Sequence, residues 1–189
     1  SRLKKYNRIP FGIYNGATCC HKVMPVKDRH FFGFYGWKTG ADTIMQWAYK
    51  FGDVWTKKFK GETDNGYIEV VGKKVLPSIS YESMREGIDD YKYMDMLWRM
   101  ITLANKKGED AKKRAQNAIN TSNEILQTIG LRYQGVFKPK RDIDDPQNES
   151  TYDIYRWKIA KEIMNLQKVV SVDEASKIKA VMPEPYDLP

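Results

Sequence analysis

Apolar residues recur every three or four positions through Met84, Ile88, Tyr91, Met94, Leu97, Trp98 and Ile101. That spacing places them on one face of a helix, with Asp95 off the stripe and Trp98 on it. Pro77 followed by Ser78 and Ser80 marks the start, and Glu82 sits in the first turn, where the positive end of the helix dipole favours an acid. Glu82 with Arg85, and Arg85 with Asp89, are spaced for ion pairs worth ~0.3–0.5 kcal/mol each when exposed. Asp89 and Asp90 are neighbours in sequence, so on a helix they point about 100° apart and do not address one reacting atom. The run of charges reads as a solvated face, and neither aspartate is assigned a catalytic role.

Upstream the pattern changes period. Phe11-Gly12-Ile13-Tyr14 reads as a short strand entering a turn at Asn15-Gly16, followed by a loop closed by Pro25. Asp28 is a suitable cap for a helix through Phe31, Phe32, Phe34, Tyr35 and Trp37, with Gly40 placed to stop it. Asp42 to Tyr49 is rich in strand formers and has no helical stripe. Strand, helix, strand is the βαβ order, whose parallel strands require a crossover.

Downstream of Gly108 the chain reads as helical. Glu109 to Ile129 carries Ala111, Ala115, Ala118, Ile119, Ser122, Ile125, Leu126 and Ile129 on one side, with Gly130 as its stop. Residues 131–149 read as a loop. A third helix is expected from Ser150 or Thr151 through Tyr155, Ile159, Ile163, Leu166 and Val170, and a short one after Ser171. The tail from Met182 to Pro189 is too rich in proline for helix. Asn120-Thr121-Ser122 and Asn148-Glu149-Ser150 fit glycosylation sequons, a pattern common by chance.

The stretch Leu76-Pro77-Ser78-Ile79-Ser80-Tyr81-Glu82-Ser83-Met84-Arg85-Glu86-Gly87-Ile88-Asp89-Asp90-Tyr91-Lys92-Tyr93-Met94 resembles a signature of the domain of unknown function 4091. That domain occurs in (β/α)8 barrels similar to glycoside hydrolase family 123. Weaker motifs follow the order of that family's last barrel units: Ile13-Tyr14 with Cys19-Cys20, Phe34-Tyr35-Gly36-Trp37, Gln46-Trp47-Ala48-Tyr49 and the hairpin-like stretch Asn65 to Gly72. The match covers roughly residues 9–104. It departs at Ser80, where the family favours an arginine whose planar donor fork serine cannot replace, and at Val70-Val71-Gly72, where the family has Tyr-Pro-Gly.

The resemblance implies an α/β fold: the last β/α units of a TIM-type (β/α)8 barrel (residues 1–107), then a helical cap with a proline-rich tail (108–189). It also implies a parent that performs substrate-assisted hydrolysis of N-acetylhexosaminides with an Asp-Glu pair on a middle strand. This chain has no such strand, and Asp53, Glu62 and Asp64 have no evident pairing. The catalytic acids are therefore expected outside it.

In such barrels ligands gather at the C-terminal ends of the strands. The candidate substrate-binding residues are accordingly Tyr14 and Asn15 at the first strand and Trp47 and Tyr49 at the second. Trp47 and Tyr49 share a face by the two-residue period, and an aromatic platform suits the apolar face of a sugar ring. Two β/α units cannot close a barrel of about 250 residues, so the expected partners are carbohydrate and either the N-terminal remainder of the parent or a second copy covering the open strand edges. The alternative is a noncatalytic carbohydrate-binding or surface-structural module.

Composition narrows this picture. With 41% hydrophobic and 13% aromatic residues the chain can build a core. The net charge of +8 is uneven: residues 1–61 hold 12 Lys and Arg against 3 Asp (+9), whereas residues 62–189 hold 20 against 21 acids (−1). A basic segment interleaved with Tyr6, Tyr14, Phe31, Phe32, Tyr35 and Trp37 raises nucleic-acid binding as a second alternative, though no known binding module accompanies it. Cys19-Cys20-His21 lacks the converging spacing of a zinc site, and no metal or cofactor is expected. No apolar run nears the ~20 residues of a membrane span, and the start Ser-Arg-Leu-Lys-Lys-Tyr has neither an initiator Met nor a signal-peptide core, as expected of a processed or partial chain.

Overall fold

A computed structural model describes residues 12–15, 25–46, 68–71, 73–77, 79–130 and 148–181. Pro25 opens helix α1 (Pro25–His30), a position where the missing amide proton costs nothing because first-turn amides have no partner within the helix. Asp28, expected as the cap, lies inside that first turn and is buried. The helix widens into a π-type turn (Phe31–Tyr35) that kinks at Gly33, and continues as α2 (Gly36–Thr39). Gly40 ends it in the left-handed conformation at φ 66°, the stop anticipated from the sequence.

This helical segment joins two strands that pair in parallel, β1 (Gly12–Asn15) and β2 (Thr43–Gln46), with Tyr14 opposite Met45 and Asn15 opposite Gln46. An antiparallel hairpin follows, β3 (Ile68–Val71) with β4 (Lys74–Pro77), which ends at a proline that has no amide to donate. Among the described residues each sheet has two strands. Helices make up the rest: α3 (Ile79–Ala104), α4 (Glu109–Gln127), α5 (Glu149–Leu166) and α6 (Val172–Ser176). The content is mixed α and β, with helix predominating.

Cap chemistry accounts for the downstream boundaries. The Asn148 side chain accepts from the Thr151 amide to start α5, and the Ser171 side chain accepts from the Asp173 amide to start α6. The C-terminal end of α4 is closed locally by the Thr128 and Ile129 amides and from a distance by Lys38 Nζ on α2, which donates to the carbonyls of Leu126 (2.7 Å) and Ile129 (2.6 Å). Burial pushes the Lys38 ammonium below its ordinary range.

One core unites the helices. Phe34 and Trp37 meet Met94, Leu97 and Ile101 of α3, Ala115, Ala118 and Ile125 of α4, and Tyr152, Ile159 and Leu166 of α5. Trp98 Nε1 donates to Ser122 Oγ at 3.1 Å across the α3–α4 contact, which occupies the third residue of one sequon.

The inward line of α3 follows the expected apolar stripe at Met94, Leu97, Trp98 and Ile101 and departs from it in the first half of the helix. Ser80, Ser83, Gly87, Asp90, Met94, Leu97, Ile101 and Ala104 are buried in steps of three and four, while Met84 and Tyr91 lie at its margin and Ile88 is exposed. The first half of this line is small or polar because α1 crosses there in backbone contact. A Cβ on Gly87 would stand 2.5 Å from the Arg29 carbonyl oxygen, and one on Gly33 would stand 3.1 Å from the Gly87 carbonyl oxygen. On the outer face Glu82 pairs with Arg85 as anticipated, whereas Asp89 pairs with Lys92.

Alanine is normally better than glycine inside a helix by ~1 kcal/mol. At position 87 the obstacle is backbone, which cannot swing aside, and overpacking costs ~1–3 kcal/mol. Gly87→Ala is expected to lower the urea midpoint, with a net loss of up to about 2 kcal/mol. Gly108→Ser, at an extended cap position with nothing within 4 Å of a new Cβ, should leave stability unchanged or raise it by a few tenths of a kcal/mol.

Candidate functional site

Three helices converge on the Asp90 carboxylate, which is 0% exposed. From α1, Arg29 Nε donates to Oδ2 at 2.8 Å; from α5, Arg156 Nε donates to Oδ1 at 2.6 Å. Each arginine has a second acid to hold: Arg29 Nη1 reaches Asp153 at 2.8 Å, while Arg156 donates to the Glu86 carboxylate at 2.6 Å and to its carbonyl at 2.7 Å. The Arg29 guanidinium also lies 5.5 Å from the centre of the Tyr152 ring. Burial pushes the Asp90 carboxyl up, and the two guanidinium groups draw it back. Burial would lower both arginines, yet their acids hold them above the ordinary value. Contacts this short to two guanidinium groups keep the cluster ionised at neutral pH.

His30 follows Arg29 into the same interface. Its Nδ1 lies 2.6 Å from Tyr152 Oη, its ring tilts against Tyr35, and Tyr152 in turn stacks on Phe34. Nε2 is buried without a hydrogen-bond partner among the described residues. Burial lowers the pKa to about 4, so the imidazole is neutral at pH 7. A sealed histidine and a carboxylate with both oxygens engaged are poorly placed to exchange protons with a substrate. Their chemistry is to fix α1 against α3 and α5.

That fixation reaches the predicted carbohydrate-binding residues through the crossover. The segment from α1 to α2 connects β1 to β2, and α2 lies close enough to β2 that a Cβ on Gly36 would meet Ile44 Cδ1 at 2.3 Å. The parallel register sets the C-terminal ends of the two strands side by side, with Tyr14 and Asn15 on β1 beside Met45 and Gln46 on β2. Trp47 and Tyr49, which follow β2 in sequence, lie outside the described residues, as do Asp53, Glu62, Asp64 and the Cys19-Cys20-His21 cluster.

Four of the six aromatic residues that raise nucleic-acid binding have another use. Phe31, Phe32, Tyr35 and Trp37 are buried in the core and present no face to a base. Among the described residues no group of His, Cys, Asp and Glu is arranged to hold a metal, and no helix is long and apolar enough to cross a membrane.

Sequence reasoning does not single out Arg29, Arg156, His30 or Tyr152, and it weighs Asp90 only beside Asp89, as part of a solvated run of charges. The available signal was register: Gly87 and Asp90 fall on the same three-and-four spacing as Met94 and Leu97.

Removing one member of a buried ionic cluster strands the others, at a cost of ~3–5 kcal/mol. Asp90→Asn is expected to lose stability in that range by denaturant unfolding. His30 gives a second expectation. Unfolded, a histidine titrates near 6.5; here the folded value is about 4, so between those values the unfolded chain takes up the proton and the folded chain does not. Stability should therefore fall by about 3 kcal/mol as pH drops from 7 to 4. Denaturant curves across that range should show the slope in the wild type and lose this component in His30→Asn.

No family model, curated protein or solved structure matches this chain.

Proposed function

We propose that this chain is the C-terminal segment of a glycoside-hydrolase-like (β/α)8 barrel and forms one wall of a carbohydrate site. The observation that supports this reading best is the parallel β1–β2 pair joined through helix, which sets Tyr14 and Asn15 beside the strand end that leads into Trp47. In a barrel that rim is where ligands gather. The hairpin and α3 follow in the order implied by the resemblance to the family of domain of unknown function 4091.

On this reading the aromatic side chains stack on sugar faces and Asn15 hydrogen-bonds hydroxyls. The catalytic acids come from the remainder of the parent. Asp90 is committed to two arginines, which agrees with a supporting role for the signature helix. The bound sugar is an N-acetylhexosaminide, whose acetamido group assists its own hydrolysis.

The test compares the natural gene product with this chain on chromogenic N-acetylhexosaminides. The full product is expected to hydrolyse them and the chain alone is not. In the full product, Trp47→Ala should lower kcat/KM by roughly tenfold to a hundredfold without changing the melting temperature. A natural product of only 189 residues would sink the barrel reading and leave a self-contained binding module.

A further inference from the structure

Helix α5 is apolar on two opposite sides. Tyr152, Ile159 and Leu166 are fully buried, whereas Ile154, Trp157 and Met164 are 56, 67 and 62% exposed. The three exposed residues, with Lys161, recur at intervals of three and four and form a line about 15 Å long facing away from the core. Lys158 flanks this line, and Lys168 stands in the turn beyond it; both are exposed, as is Lys161. Among the described residues these lysines make no ion pair.

We propose that this outer line of α5 is a docking seam for an amphipathic helix of a partner protein that carries acids opposite Lys161 and Lys158. The spacing argues for a helix. Residues 154, 157, 161 and 164 occupy the alternating positions of a heptad seam, the narrow stripe along which one helix packs lengthwise on another.

The lysines argue for the sign of the partner. A second copy packed in parallel would bring Lys161 against Lys161, and one packed antiparallel would set it against Trp157, with no acid on the seam to meet it in either case. Lipid is a poorer fit, because Lys161 interrupts the apolar line where a membrane-surface helix would keep its cations at the border. A carboxylate facing Lys161 turns the interruption into a contact that fixes register, as a polar residue in a heptad seam does. This inference does not depend on the carbohydrate reading.

The test uses the intact chain and a labelled 21-residue peptide of three heptads, with leucine on its seam and glutamate facing the lysines. A second peptide has lysine in place of each glutamate. Anisotropy should show binding of the acidic peptide only. Trp157→Ala should weaken binding about tenfold or more, as truncation of a central aromatic anchor does. Lys161→Glu should abolish binding of the acidic peptide and confer binding of the basic one. These side chains face away from the core, so the melting temperature of each variant should match the wild type. The proposal is overturned if Trp157→Ala binds the acidic peptide as well as the wild type does, or if Lys161→Glu leaves the peptide preference unchanged. It also fails if the wild type sediments as a dimer that Trp157→Ala dissociates, or binds phosphatidylglycerol vesicles while ignoring both peptides.

Discussion

The buried carboxylate of Asp90 is the constraint around which the helices are arranged. It sits where α1, α3 and α5 approach one another, and without its two arginines it would be an isolated charge in a dry interface. Once paired, it demands that helices from widely separated parts of the chain hold one relative position, because Arg29 and Arg156 lie 61 and 66 residues from it. An apolar contact tolerates sliding, whereas a carboxylate shared between two guanidinium forks tolerates little. The backbone contact at Gly33 and Gly87 belongs to the same design, since the arginine on α1 can reach Asp90 only if the two helices come this close.

The clamp also makes the β/α part and the C-terminal helices depend on each other. Arg29 and His30 lie in the crossover between the parallel strands, and their partners Arg156, Tyr152 and Asp153 lie on α5. The strands themselves are four residues each, too short to fix their own geometry. Their alignment is inherited from the helices packed behind them, by way of Gly36 against Ile44.

Much of the element order was legible in the sequence, and for physical reasons. Period, caps and punctuation are local signals, and Gly40, Pro25 and Ser171 each mark a boundary that the backbone honours. The parallel pairing followed from strand–helix–strand order. What was not legible is what depends on partners. The second half of the α3 face is legible at Met94, Leu97, Trp98 and Ile101, but the first half is not, because Met84 and Ile88 outvote Ser80, Ser83 and Gly87 in any count of hydrophobicity although close approach favours small residues. Asp90 reads as solvated in the sequence because its neighbours Glu86 and Asp89 are charged, and only the positions of Arg29 and Arg156 reveal it as interior. The doubled apolar character of α5 was half legible: Tyr155, Ile159 and Ile163 pointed to the core side, and Trp157 fell outside that stripe.

Lys38 carries a consequence for how sequence may drift. Helix α4 ends at Thr128 in the right-handed conformation, where the amides of Thr128 and Ile129 reach back to Ile125 and Leu126, and the ammonium 88 and 91 residues upstream adds donors to the carbonyls of Leu126 and Ile129. Part of the duty of ending the helix thus falls to a remote side chain. Position 38 carries that restriction, since only a long cationic side chain with several donors spans the gap. Natural variation should accordingly be tight at 38, which the local grammar around α4 would not teach.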